Sequence, residues 1–338
     1  MKQKLSITAG LAISAALLWL ACRRVDFPAL AAILENIKPA PLLLVLFTVC
    51  AELLVRGIKW RLLLAPAGPA RAWDALRLEA AGLALNNVLP LRLGDLARGA
   101  FAANFFRINI AAVFSTILAE KALDFAALLL LSSAAAALGG IAPNSAGQRG
   151  LFLVPAAIAL AALHLAARRG LSSARLKRAP RLKRTLDGLA LGLKAFASPL
   201  AAAAIFSLAL LQWFLNALNY YWLALAFGAQ STITLSKSVL LSFTGAAASS
   251  APGMPGYFGS FELAVSAALM AWGIGREAAL AYAAAAHVFS YLIITAAGLF
   301  FISRMGYSPG KVWAEFSALR SAGKTLPGET LPQPSRAP

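Results

Sequence analysis

Negative charge is scarce in this chain: 13 Asp and Glu in 338 residues, against 31 Lys and Arg. Charged residues of both signs make up 13% of it, where a soluble domain carries about a quarter. Cysteine and histidine are scarcer still, with two of each. Cys22 and Cys50 lie in or beside apolar segments and offer neither a disulfide framework nor a metal-ligand spacing. The chain has no G-x-S-x-G, no H-E-x-x-H and no P-loop. The run GMPGYFG (253–259) spaces three glycines, but no strand precedes it, so a dinucleotide site is not expected. No cofactor and no metal are expected.

What is abundant is apolar length. Hydrophobic residues make up 60% of the chain, and the mean hydropathy is +0.74. Six stretches are long enough to cross a bilayer, which takes roughly 20 apolar residues: about 5–22, 40–58, 110–140, 151–167, 199–227 and 277–303. The first lacks a small-x-small cleavage site and is read as a retained span. Alanine fills many of these runs, and small residues let membrane helices pack closely. The expected fold class is all-α, a polytopic helical membrane protein.

Two further apolar regions, about 74–106 and 237–273, are broken by Pro and Gly. In the first, DALRLEAAGLALNNVL precedes Pro90 and GDLARGAFAANFF follows it. Halves of 16 and 13 residues reach about 24 and 20 Å, short of the ~30 Å hydrocarbon core. Each region therefore reads as a re-entrant helical hairpin. Pro90-x-x-x-Gly94 recurs as Pro255-x-x-x-Gly259 at an offset of 165, which also lays 110–140 over 275–305 and 40–58 over 205–223. Polar pairs precede both motifs, Asn86-Asn87 and Ser249-Ser250. An inverted repeat is expected, as in many transporters. Coincidence of common residue types in an Ala-rich chain is the competing explanation. One transmembrane domain, 1–318, then has halves of about 1–150 and 151–318. A disordered cytoplasmic tail follows at 319–338.

The net charge of +18 lies beside the apolar spans. That distribution suits topology signals and anionic lipid; no nucleic-acid motif accompanies it. The run 168–184 reads as a cytoplasmic linker drawn to anionic lipid. With both termini cytoplasmic and the hairpins not crossing, the inner segments carry 24 Lys and Arg and the outer ones six. The first hairpin then enters from the cytoplasm and the second from outside.

Ionisable residues inside a bilayer cost a few kcal/mol or more, so each is a functional candidate. Here they are Glu52, Glu79, Arg92, Asp95, Arg98, Glu120, Lys121, Asp124, Glu262 and His287. Glu120 and Asp124 share one helix face at i and i+4 and repel unless paired. Lys121 reaches Asp124 at i+3, which leaves Glu120 to Arg92 or Arg98. Glu120 and His287 fall roughly 20 and 15 Å along their helices. Asp95 and Ser260 read as helix N-caps. The second half-helices begin at Gly94-Asp95 and Gly259-Ser260, where free N–H groups and the positive dipole end favour an anion. With Arg92 and Arg98 nearby, a phosphate headgroup suits that end. An internal Arg–carboxylate network that only holds helices together fits the same residues equally well.

The pieces RGIKWRLLL (56–64), NNVLPLRLGDLARGAF (86–101), AEKALDFAALLLL (119–131), PGYFGSFE (255–262) and AAAHVFSYLIITAAG (284–298) together resemble the lysylphosphatidylglycerol synthase transmembrane-region family, also called flippase-like. The family's hairpin usually reads LPGRLGE; here Leu91 replaces a glycine and Asp95 a glutamate. Lys121 and His287 stand where arginines are common. The resemblance implies a membrane domain that handles lipids in a bacterial cytoplasmic (inner) membrane. In bifunctional members this domain moves an aminoacylated phospholipid between leaflets, and a separate soluble domain makes that lipid. About 35 residues follow the sixth span here, so synthesis of that lipid is not expected. Other relatives are tied to hopanoids or polyprenyl-phosphate sugars.

The reading that follows is an integral membrane lipid translocator. Asn86, Asn87, Arg92, Gly94, Asp95, Arg98, Gly259, Ser260 and Glu262 are the expected headgroup residues, and Glu120, Lys121, Asp124 and His287 the coupled charge network. The partners expected are membrane lipids, an anionic phospholipid or an isoprenoid lipid, together with lipid-synthesis enzymes. The alternatives are a membrane glycosyltransferase-like enzyme on a lipid-linked sugar, with Glu120, Asp124 or Asp95 as general base, and a non-catalytic scaffold for lipid synthesis.

Overall fold

Helices account for every regular element of the computed structural model, which describes residues 16–23, 25–89, 92–139, 154, 157–158, 161–168, 180–250 and 255–305. In chain order the main ones are α1 (Phe27–Glu35), α2 (Ala40–Leu64), α3 (Ala72–Val88), α4 (Leu93–Phe106), α5 (Ile110–Leu138), α6 (Pro180–Leu193), α7 (Pro199–Ala226), α8 (Leu235–Ser250), α9 (Ser260–Ala271) and α10 (Arg276–Arg304). The chain is an all-α polytopic membrane protein.

Four of these helices, α2, α5, α7 and α10, are long and apolar enough to cross a bilayer. Their outer surfaces are greasy: Leu118 and Leu200 are 72% and 82% exposed, which suits contact with lipid tails. Of the expected span 5–22 only 16–22 is described, and of 151–167 only 154, 157–158 and 161–167, all helical; most of the 168–184 linker and all of the 319–338 tail lie outside the described residues.

The two broken regions are helix–break–helix units. The first has halves of 17 and 14 residues (α3, α4), the second of 16 and 12 (α8, α9). At 1.5 Å per residue no half exceeds about 26 Å. Each unit is followed by a 29-residue helix, α5 or α10. The order long, short, short, long thus occurs twice: α2 to α5, then α7 to α10. Packing follows the same swap. α3 lies on α10 while α8 lies on α5, and α2 packs along its counterpart α7. That central pair is antiparallel, because Thr48, Glu52 and Lys59 of α2 meet Asn219, Asn216 and Gln212 of α7 in that order.

Close approach depends on small residues. A Cβ on Gly298 of α10 would sit 2.4 Å from the Ala80 carbonyl oxygen of α3. One on Gly192 of α6 would sit 2.4 Å from the Ala112 carbonyl oxygen of α5. These backbone contacts provide the packing that helices gain in lipid, where burial of apolar surface supplies little drive.

α2 runs six residues past the expected end at 58, and the difference matters. It draws Arg56 and Lys59 into the protein instead of leaving them at a cytoplasmic boundary. Arg98 is buried as well, and Arg92 is half-buried beside α8. Removing these four from the inner tally of 24 basic residues leaves 20 against six, so the asymmetry keeps its sign.

Candidate functional site

The buried charges form an alternating chain across the first four-helix set. Glu52 holds Arg56 at 2.7 Å, and Arg56 lies 4.0 Å from Glu79. Glu79 pairs with Arg98, and Arg98 reaches Glu120 at 2.9 Å. Glu120 lies 3.2 Å from Lys59, which also holds Asp124 at 2.5 Å. The chain thus has four carboxylates and three cations, contributed by α2, α3, α4 and α5. Each cation bridges two carboxylates, which is how charge of this density is tolerated away from water. The Arg98 guanidinium also lies over the Trp60 ring, 4.4 Å from its centroid.

Lys59 was not a candidate from sequence, yet it is fully buried and takes three partners, Asp124, Glu120 and the Gln212 Oε1 of α7. The local pairing expected of Lys121 with Asp124 is replaced. Lys121 turns to Asp95 of α4 at 3.3 Å, and Asp124 is satisfied by Lys59. Glu120 is met by Arg98, as the sequence allowed, and by Lys59. With α5 starting at Ile110, Glu120 is ten residues in, about 15 Å along the axis rather than 20.

The capping also differs from expectation. Asp95 is in the first turn of α4 but does not cap it. The Asn86 side-chain oxygen accepts from the Asp95 N–H at 3.2 Å, folding α3 and α4 together. Gly94 permits this approach, since a Cβ there would lie 2.2 Å from the Gly82 carbonyl oxygen. Arg92 precedes α4 in the left-handed region, at φ 55°. In the second unit, Glu262 rather than Ser260 is the cap. Its Oε2 accepts from the Gly259 N–H at 2.7 Å, while its Oε1 faces His287 Nδ1 at 2.6 Å. Ser260 donates to the Tyr257 carbonyl. One N–H at each break is therefore already engaged by the protein.

Between the two halves lies a cavity of about 790 Å³. Seven expected site residues line it: Asn86, Asn87, Arg92, Asp95, Lys121, Asp124 and His287. Gly94, Arg98, Glu120, Gly259, Ser260 and Glu262 are not in its lining; they stand behind or beside the wall. Sequence reasoning missed Arg56, Asn216, Asn219 and Tyr257, which also line it. Only the polar i, i+4, i+7 run Gln212, Asn216, Asn219 on α7 was a usable signal for the two amides.

The walls differ in character. The first half supplies Arg56, Arg92, Asp95, Lys121 and Asp124; the second supplies amides and rings, including Trp213, Tyr220, Tyr257, Phe261 and Tyr291. His287 is held between Phe258 and Phe261, with ring centroids 4.6 Å away on each side. Arg92 crosses between the halves. Its Nη2 donates to the Ser249 carbonyl at 2.8 Å and its guanidinium lies over the Tyr257 ring. Its Nε is buried without a partner, and no carboxylate among the described residues comes within ion-pair distance.

Comparison with protein families places residues 7–298 in the family described as the lysylphosphatidylglycerol synthase TM region. The match covers most of the chain, and the protein belongs to that family. It is an integral membrane protein. Comparison with curated proteins gave no match.

Proposed function

We propose that this member of the lysylphosphatidylglycerol synthase transmembrane-region family is a lipid translocator whose inter-half cavity holds an anionic headgroup. The observation that carries this reading is Arg92: a cation on the cavity wall, at the break of α3 and α4, with no carboxylate of its own. Guanidinium geometry matches phosphate oxygens, and a half-desolvated cation gains more from an anion than a solvated one does. Apolar lining from Leu83, Phe125, Phe243 and Ile294 suits the start of acyl chains.

The repeated element order and the antiparallel α2–α7 pair support an inverted repeat, and the short half-helices support two re-entrant hairpins. In that arrangement the cavity lies at the interface of the repeats, where alternating access places a substrate. Both termini then face the cytoplasm of a bacterial-type inner membrane. The buried charge chain serves as a scaffold that fixes the first-half wall, and Arg98 belongs to it rather than to the headgroup.

The test is lipid translocation in proteoliposomes, using acyl-labelled phosphatidylglycerol. Arg92→Ala should slow transport by roughly tenfold or more, on the scale of one charge-assisted contact. Arg92→Lys should recover part of the rate, since the charge returns without the planar fork. Equal rates for wild type and Arg92→Ala would remove Arg92 from the mechanism.

A further inference from the structure

Charge pairing around the cavity goes beyond the presence of a headgroup site and sets the headgroup's charge. Six Asp, Lys, Arg and His side chains line the cavity: Arg56, Arg92, Asp95, Lys121, Asp124 and His287. Five are engaged. Arg56 gives both its Nε and Nη2 to Glu52. Lys121 is held by Asp95 at 3.3 Å, Asp124 by Lys59, and His287 faces Glu262. Of these six, Arg92 alone has no opposite charge within ion-pair distance among the described residues. The alternating chain, which reaches the wall at Arg56 and Asp124, carries one more carboxylate than cations.

From this we infer that the cavity selects a lipid phosphodiester with one negative charge and discriminates against phosphomonoesters and diphosphates, and that Asp95 is the residue that sets the limit. The inference rests on the headgroup reading above. One phosphate charge pairs with Arg92. A second would find no free cation and would face Asp95 and the alternating chain, whose one excess carboxylate charge already includes Asp124 on the wall. Asp95 acts by occupying Lys121, whose side chain is 37% exposed and is the most available cation after Arg92. Without Asp95, Lys121 becomes a second anion-binding group on the same wall.

The experiment measures binding of acyl-labelled phosphatidylglycerol and phosphatidic acid to the purified full chain in nanodiscs. It is run at about pH 8, where a phosphomonoester carries close to two charges. Wild type should prefer phosphatidylglycerol by roughly tenfold, the scale of one charge contact at a partly solvated site. Asp95→Asn should raise phosphatidic acid binding several-fold, on the same scale. Adding Lys121→Gln to Asp95→Asn should abolish that gain. Equal binding of the two lipids by wild type overturns the inference without any variant. So does an Asp95→Asn protein that is folded and keeps the wild-type ratio. Phosphatidylglycerol binding that is unaffected by Arg92→Ala overturns the headgroup site itself. Binding of neither lipid overturns both.

Discussion

Replacing Lys59 with methionine should cost the protein about 3–5 kcal/mol, the range for removing one partner from a buried ion pair. Lys59 is fully buried, and among the described residues no other cation holds Asp124. Its loss leaves that carboxylate without a cation, strips one of two from Glu120 and frees the Gln212 oxygen. The remaining chain would hold four carboxylates and two cations. Thermal unfolding of the detergent-purified protein reads the effect. The methionine variant should unfold far below wild type or fail to accumulate. Asp124→Asn in the same background should restore part of the loss, because it removes the orphaned charge. That recovery separates electrostatics from packing, as a double-mutant cycle does for coupled neighbours. A Lys59→Met protein as stable as wild type would mean that the chain contributes nothing to holding the four helices.

Gly94→Ala should be the second most damaging small change, at about 1–3 kcal/mol or more, the cost of overpacking a tight contact. The added methyl would sit 2.2 Å from the Gly82 carbonyl oxygen and 2.4 Å from the Asn86 nitrogen. Both are backbone atoms of α3, so no side chain can swing aside. The two halves of the first unit must part, which breaks the contact from Asn86 to the Asp95 N–H. Arg92 and Asp95 move with it, so lipid binding should fall along with stability. Gly228→Ala gives the contrast. That glycine has open space around it, and its cost arises only from its positive φ of 69°, about 1 kcal/mol. Unfolding midpoints of the two variants should differ in that order. The reverse order would show that α3 and α4 are not locked at Gly94.

Helix class, the two broken units and seven polar residues of the cavity wall were legible in the sequence because they follow from local rules. Apolar length marks a span, and a Pro-x-x-x-Gly break inside an apolar run marks a helix divided in two. Rarity of polar groups in grease singles out Arg92, Asp95, Lys121, Asp124 and His287 for attention. Partners were not legible. Lys121 and Asp124 satisfy an i+3 rule, yet Lys59, 65 residues from Asp124, takes its place. No local spacing encodes that contact. The caps divide: the Asp95 N–H is captured by Asn86, nine residues earlier, which no local rule encodes, whereas the Gly259 N–H is captured by Glu262, the third residue of its helix, at the local spacing of a capping box. Lys59 itself was hidden by a boundary. Ending the span at 58 assigned it to water, and six more helical residues bury it.

The fate of Arg98 illustrates how packing decides between two readings of one motif. Its sequence position, three residues after Asp95 at a helix start, suits a headgroup and an internal network alike. Contact with Glu79, Glu120 and the Trp60 ring commits its two terminal nitrogens to the interior. Arg92, six residues earlier, faces the cavity instead. The difference of six residues on a 3.6-residue period, with the helix beginning between them, turns the two cations to different surroundings.

The most direct test of the account is native mass spectrometry of the protein purified in mild detergent. Wild type should carry a co-purified phosphodiester lipid, and Arg92→Ala should carry markedly less under identical conditions. The same lipid retained to the same extent by both proteins would contradict a headgroup site at Arg92.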